Sequence, residues 1–117
     1  MGLEKIMVIG ADISRPLNDM FRSIVGNVTH VRDGKMAVQR AQREVFDAAI
    51  LISTGEEMDL AETVFNLSDI NRSMELIIVS DQTPKWDSAV PADRLAGLIP
   101  NAMVMNTQDL KKHLTAS

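Results

Sequence analysis

VFDAAILISTGE, residues Val45 to Glu56, is the stretch whose reading decides the rest of the chain. An unbroken apolar run, Ala48-Ala49-Ile50-Leu51-Ile52, is opened by Phe46-Asp47 and closed by Ser53-Thr54-Gly55. A half-exposed strand would alternate apolar and polar residues, whereas a parallel strand covered on both faces reads as a continuous apolar run. The pattern therefore predicts a central buried strand from Val45 to Ser53 that feeds a polar loop. Chemistry in such sheets gathers at the carboxyl ends of the strands. At that end this strand supplies Ile52, Ser53 and Thr54, which offer hydroxyls but no carboxylate, thiol or imidazole.

Outward from it, the chain alternates between strand and helix patterns. Lys5 to Gly10 (KIMVIG) is a β-branched run that ends in a Gly10-Ala11-Asp12 turn. Asp12 or Ser14 can cap the next helix and Pro16 suits its first turn. Leu17, Met20, Phe21, Ile24 and Val25 then form one apolar stripe before Gly26 stops the helix. Asn27 to Val31 (NVTHV) alternates, as an edge strand does, and Asp33-Gly34 leads into a second helix, Lys35 to Glu44, with Met36, Ala37, Val38 and Ala41 on its sheet side.

A third helix, Glu56 to about Asn71, starts with Glu56, Glu57 and Asp59 near its positive end and packs through Leu60, Ala61, Val64, Leu67 and Ile70. Glu75 to Ser80 (ELIIVS) is a second buried parallel strand. Pro84 and Pro91 make Asp81 to Pro91 irregular, and Ala92 to Gly97 gives one or two helical turns, so the fourth helix is expected to be short or irregular. Asn101 to Met105 is a fifth strand, and Thr107 to Leu114 is a capped last helix with Lys111, Lys112 and His113 near its negative end. Five β-α units predict a single α/β domain: a doubly wound, flavodoxin-like five-stranded parallel sheet in the order 2-1-3-4-5.

Composition bounds the function. The 117 residues are 45% apolar, enough for one core, and a net charge of −4 argues against binding a phosphate backbone. With no cysteine, thiolate metal sites and disulfides are excluded, and a cytoplasmic location is expected. Neither a signal segment nor a membrane span is legible. The two histidines, His30 and His113, lie too far apart for a paired zinc site. His30 reads as an edge-strand surface residue and His113 as a helix end. Gly10-Ala11-Asp12 does not continue into a dinucleotide fingerprint.

The chain resembles the receiver domains of two-component response regulators. Asp33-Gly34, Met36-Ala37-Val38, Phe46-Asp47-Ala48-Ala49-Ile50-Leu51 and Met58-Asp59 match, in type and spacing, the segments DG-x-E-A-L, Y-D-L-V-L-L-D and M-P-G-M-D-G of that family. In receivers two acids after the first strand hold Mg²⁺ and an aspartate ending the third strand accepts phosphate. A hydroxyl ends the fourth strand and a lysine the fifth. Metal and lysine neutralise the transferring phosphoryl group. Aligned on that pattern, Gly10 and Ala11 stand where the metal-binding acids belong, with Asp12 one place late, and Ile52 stands at the phosphoacceptor position. Ser80 matches the hydroxyl, and no lysine or following proline occurs around Met103 to Asn106.

The resemblance thus implies a degenerate receiver, or pseudo-receiver, that keeps the fold without the aspartyl-phosphate chemistry. Such a domain is no enzyme and needs no cofactor or metal. It acts through a protein partner, an output domain or a second copy of itself, in two-component-type signalling or transcriptional control. Neither nucleic acid nor membrane is expected to be bound by this segment.

The expected interface lies on the later half, at Trp86, Met103 and Met105, where exposed tryptophan and adaptable methionine suit partner contacts. The rival reading is a receiver-like domain that binds a small ligand or cation in the vacated site through Asp12, Ser53, Ser80 and Asp81. Capping is the expected role of Ser53 and Thr54. A flavodoxin-like enzyme of unrelated chemistry would need a nucleophile with its base, and no cysteine, tyrosine or paired histidine is present.

Overall fold

Five strands and four helices make up the described part of the chain, which the computed structural model gives for residues 4–10, 13–52, 60–79 and 97–116. In order they are β1 (Lys5–Ile9), α1 (Arg15–Ile24), β2 (Asn27–Val31), α2 (Gly34–Ala41), β3 (Ala48–Leu51), α3 (Leu60–Ile70), β4 (Glu75–Val79), β5 (Ala102–Met105) and α4 (Thr107–Ala116). All strands are parallel and lie in the order β2-β1-β3-β4-β5, the doubly wound α/β arrangement that the alternating pattern predicts.

The apolar runs of β1, β3 and β4 are explained by the two cores they serve. Strand side chains alternate between faces, so a strand with helices on both sides is apolar at every position. Ile6, Val8, Ala48, Ile50 and Ile77 point to one face and meet Leu17 and Phe21 of α1 and Leu110 and Leu114 of α4. Met7, Ile9, Ala49, Leu51, Leu76 and Ile78 point to the other and meet Ala37 and Ala41 of α2 and Leu60, Val64 and Leu67 of α3. Buried side chains of this size each contribute roughly 1.5–3 kcal/mol, so the sheet's inner strands carry most of the stability.

Helix limits follow from local chemistry. Ser14 occupies the N-cap of α1 without a side-chain cap bond, Pro16 lies in the first turn, and the helix ends where Val25 turns extended and buries itself, one residue before Gly26. Asp33 caps α2, its Oδ1 accepting from the Met36 amide at 2.9 Å. Helix α2 ends at Ala41 rather than Glu44, and Met36 faces solvent instead of the sheet. At the last helix the Asn106 side chain caps, accepting from the Asp109 amide at 2.8 Å.

The third strand is shorter than its apolar run suggests, beginning at Ala48 rather than Val45. Val45 is 78% exposed, while Phe46 is buried in the α2–α3 core. Asp47 bonds to both flanking strands, its carbonyl accepting the Glu75 amide at 3.0 Å. Its Oδ2 accepts the Glu4 and Lys5 amides, both at 2.9 Å, and its own amide donates to the Lys5 carbonyl at 2.8 Å. One residue thereby holds the start of β1 beside β3.

Beside it, Glu44 pairs with Lys5 Nζ at 2.9 Å and with Arg40 at 3.0 Å. The Lys5 hydrogen bond holds the Glu44 carboxyl below the ordinary glutamate range; partial burial opposes this, and the charges of Arg40 and Lys5 add to it. A carboxyl whose pKa is depressed on folding stabilises the protein above its unfolded pKa and loses that contribution as pH falls through the folded value. Thermal melts of Glu44→Gln should therefore differ from wild type most near neutral pH, and the difference should vanish on acidification. A pH-independent offset would show that packing, not charge, sets the effect.

Among the described residues no helix is long and apolar enough to cross a membrane.

Candidate functional site

The strand register brings the residues that follow β1 and β3 together at the carboxyl end of the sheet. Ile9 lies beside Val31 on one side and Leu51 on the other, and Leu51 beside Ile78. The ladder continues one residue past the strands: the Gly10 amide donates to Val31 O and the Ile52 amide to Ile9 O, each at 2.9 Å. Gly10 and Ile52 are consequently neighbours at the carboxyl ends of β1 and β3.

Their packing is close and apolar. A methyl group placed on Gly10 would lie 3.3 Å from Ile52 Cβ and 3.3 Å from Ile13 Cγ1. Ile52 is only 3% exposed and belongs to the same core as Val8, Ile50 and Val79, with Ile13 packed against it. The carboxyl ends of β1 and β3 thus carry a glycine and a buried isoleucine side by side. Neither side chain carries an oxygen, nitrogen or sulfur atom.

One polar contact reaches this corner. His30 Nε2 lies 2.8 Å from the Gly10 carbonyl oxygen, and because a carbonyl only accepts, Nε2 carries the proton and donates. The edge-strand position expected for His30 is observed, but the bond across to the β1 terminus, between residues 20 apart in the chain, has no local sequence signal.

Ala11, Asp12, Ser53, Ser80, Asp81 and Trp86 fall outside the described residues, as does the fourth helical segment of the sequence reading. Met103 and Met105 are described: both are half-buried on β5 and pack against the α1–α4 core. His113 is not simply a helix end, since its Nε2 donates to Glu75 Oε1 at 2.9 Å and ties α4 to the start of β4. No group of three or more His, Cys, Asp or Glu side chains is placed to hold a metal among the described residues.

The fold is a flavodoxin-like α/β domain, and the corner formed by Gly10 and Ile52 is apolar among the described residues. The fold is shared with a solved structure, a response regulator from Colwellia psychrerythraea, at a TM-score of 0.69 and 21% sequence identity over 98% of this chain and 96% of that one. No family model matches the sequence, and no curated protein does.

Proposed function

We propose that this domain is a receiver-like signalling module that works without aspartyl phosphorylation, by contact with protein partners, in two-component-type regulation or transcriptional control. The observation that carries the reading is the contact between Gly10 and Ile52. Phosphoryl transfer to a receiver needs a carboxylate nucleophile and a metal-held charge clamp. In the alignment on the receiver pattern the nucleophile's position falls on Ile52, a side chain of carbon and hydrogen that is 3% exposed, and a methyl group on Gly10 would lie 3.3 Å from both Ile13 and Ile52. This apolar packing supports a reading in which no phosphoryl group is accepted there.

Direct phosphodonor treatment tests this reading. Acetyl phosphate or beryllofluoride with Mg²⁺ should leave the protein unmodified, and intact-mass spectrometry should show the unmodified mass alone. A base-labile adduct of one phosphate would overturn the reading. The rival reading, a cation or small ligand held at the same edge, predicts a raised melting temperature with Mg²⁺ or phosphate analogues, because a ligand that binds only the native state stabilises it. We expect no such shift.

A further inference from the structure

We infer that the outer edge of β2 is a docking site for an acidic, extended segment of a partner protein, which joins the sheet there as a further strand. The inference rests on the preceding reading only in that the module works through protein contacts. Strand β2 ends the sheet and pairs with β1 alone. The Val31 carbonyl accepts the Gly10 amide, so Val31 turns its main-chain groups toward β1. Successive residues of a strand direct those groups to opposite sides, so Asn27 and Thr29 follow Val31, while the amides and carbonyls of Val28 and His30 point away from the sheet. These outward main-chain groups have no partner among the described residues. The register with β1 runs unbroken from Asn27 to Val31, and that strand contains no lysine, arginine or proline. Sheet edges closed to pairing carry charge, proline or a bulge; this one has none of them and is competent to accept a strand.

Charge selects the occupant. Residues 13–43, which form α1, β2 and α2, hold six basic side chains, Arg15, Arg22, Arg32, Lys35, Arg40 and Arg43, against Asp19 and Asp33, a net charge of +4. The whole chain carries −4, so all its other residues together carry −8. All six bases are exposed, and among the described residues only Arg40 is in an ion pair, with Glu44. Three of them bracket the strand: Arg22 in the last turn of α1, Arg32 directly after Val31, and Lys35 in the first turn of α2. The two helices flank the sheet on opposite faces, Phe21 of α1 and Ala37 of α2 belonging to different cores. An added strand sends its side chains alternately to those faces, toward helices that each carry a net positive charge. Main-chain hydrogen bonds supply the affinity of such an addition, and the charges favour carboxylates along it. A second copy would bring the same edge with the same +4, and like charge opposes that pairing.

Fluorescence anisotropy of a labelled peptide with the repeat Glu-Glu-Val-Val provides the test, because that repeat places carboxylates on both faces of an added strand. The signal should rise saturably with protein, and the affinity should fall as salt is added. The outward amides of Val28 and His30 should exchange with solvent more slowly in the complex. Arg22→Glu and Arg32→Glu replace exposed side chains that have no ion pair among the described residues, so each should leave the melting temperature near that of wild type. Each should weaken peptide binding by about tenfold or more. Methylating successive backbone nitrogens of the peptide keeps its charge but removes donors from both its edges, and should abolish capture. The inference is overturned if no saturable binding occurs up to millimolar peptide, if the methylated peptide or one with lysine in place of glutamate binds as tightly, or if the folded arginine variants bind as wild type does. Equal capture of a single-stranded oligonucleotide of the same charge would assign the surface to phosphates and overturn it too. So would dimerisation of the free protein with protection of the same two amides, since a second copy would then be the occupant. The phosphodonor experiment is indifferent to all of these outcomes, so the two readings fail separately.

Discussion

Ile52→Asp, the substitution that would formally restore an acceptor to the receiver pattern, should destabilise the domain by about 3 kcal/mol or more rather than revive its chemistry. Ile52 is 3% exposed, and its packing partners are Ile13 and the bare backbone of Gly10. An ionised carboxylate there loses water, and the side chains described around it offer no cation and no donor in exchange. It also removes branched apolar volume from a core that includes Val8, Ile50 and Val79.

Ile52→Val separates these costs, because it removes one methylene without introducing charge and should cost only about 0.5–1.5 kcal/mol. The carboxyl introduced at position 52 should have a raised pKa, so the deficit of Ile52→Asp should shrink as the pH is lowered and the group becomes neutral. The sign follows from linkage: a group harder to ionise in the folded state destabilises it above the unfolded pKa and not below. Chemical denaturation at neutral and acidic pH measures both. A neutral-pH stability equal to wild type would mean that water reaches Ile52 and that the corner is not closed by apolar packing.

The parts of this fold that are legible in the sequence are those governed by local periodicity. Apolar runs such as Leu76 to Val79 announce two-sided burial because every residue of a doubly covered strand is inside, and all four are fully buried. The 3.6-residue stripe from Leu17 to Val25 likewise states which side of α1 meets the sheet, with Leu17, Phe21 and Val25 buried. The adjacency of Gly10 and Ile52 is legible for the same reason, since spacing along two strands is enough to put them at neighbouring ends.

What cannot be read locally depends on partners distant in the chain. Asp47 reads as the opening of a strand, and the commitment of its side chain to amides 42 and 43 residues away has no local signal. His113 is drawn to Glu75 across 38 residues, and His30 to Gly10 across 20. Thr63, fully buried on α3, escapes a sequence reading because a hydroxyl does not register in an apolar stripe. Met36 and Phe65 show the converse limit: apolar residues at or beside a stripe face solvent when neighbouring helices do not extend over them. By contrast, the Asn106 cap has an ordinary signal, an asparagine just before the first helical residue.

The same long-range logic makes Phe46→Ala the other substitution with a large expected effect, a loss of about 3–5 kcal/mol. Phe46 precedes β3 in a segment without regular structure, yet it is 2% exposed and fills the α2–α3 core beside Ala37, Ala41 and Leu67. The small alanines of α2 leave room for one large ring, and the sheet beneath them is already filled by Met7, Ala49 and Leu76. Removing the ring therefore opens a cavity that rigid strands cannot close. Phe46 also lies beneath a cation, with Lys5 Nζ 5.0 Å from the ring centroid and held there by Glu44. Phe46→Leu retains most of the apolar volume but gives up the ring's face, so it should cost about 1–2 kcal/mol, from imperfect refilling and the lost cation contact. In a Lys5→Met background the Phe46→Leu cost should fall by the cation share, while the Phe46→Ala cost should remain dominated by the cavity. Urea denaturation of both Phe46 variants, each in the wild-type and Lys5→Met backgrounds, decides it. A Phe46→Ala loss of no more than that of Phe46→Leu would show that the core repacks around the missing ring and that α2 is free to move toward the sheet.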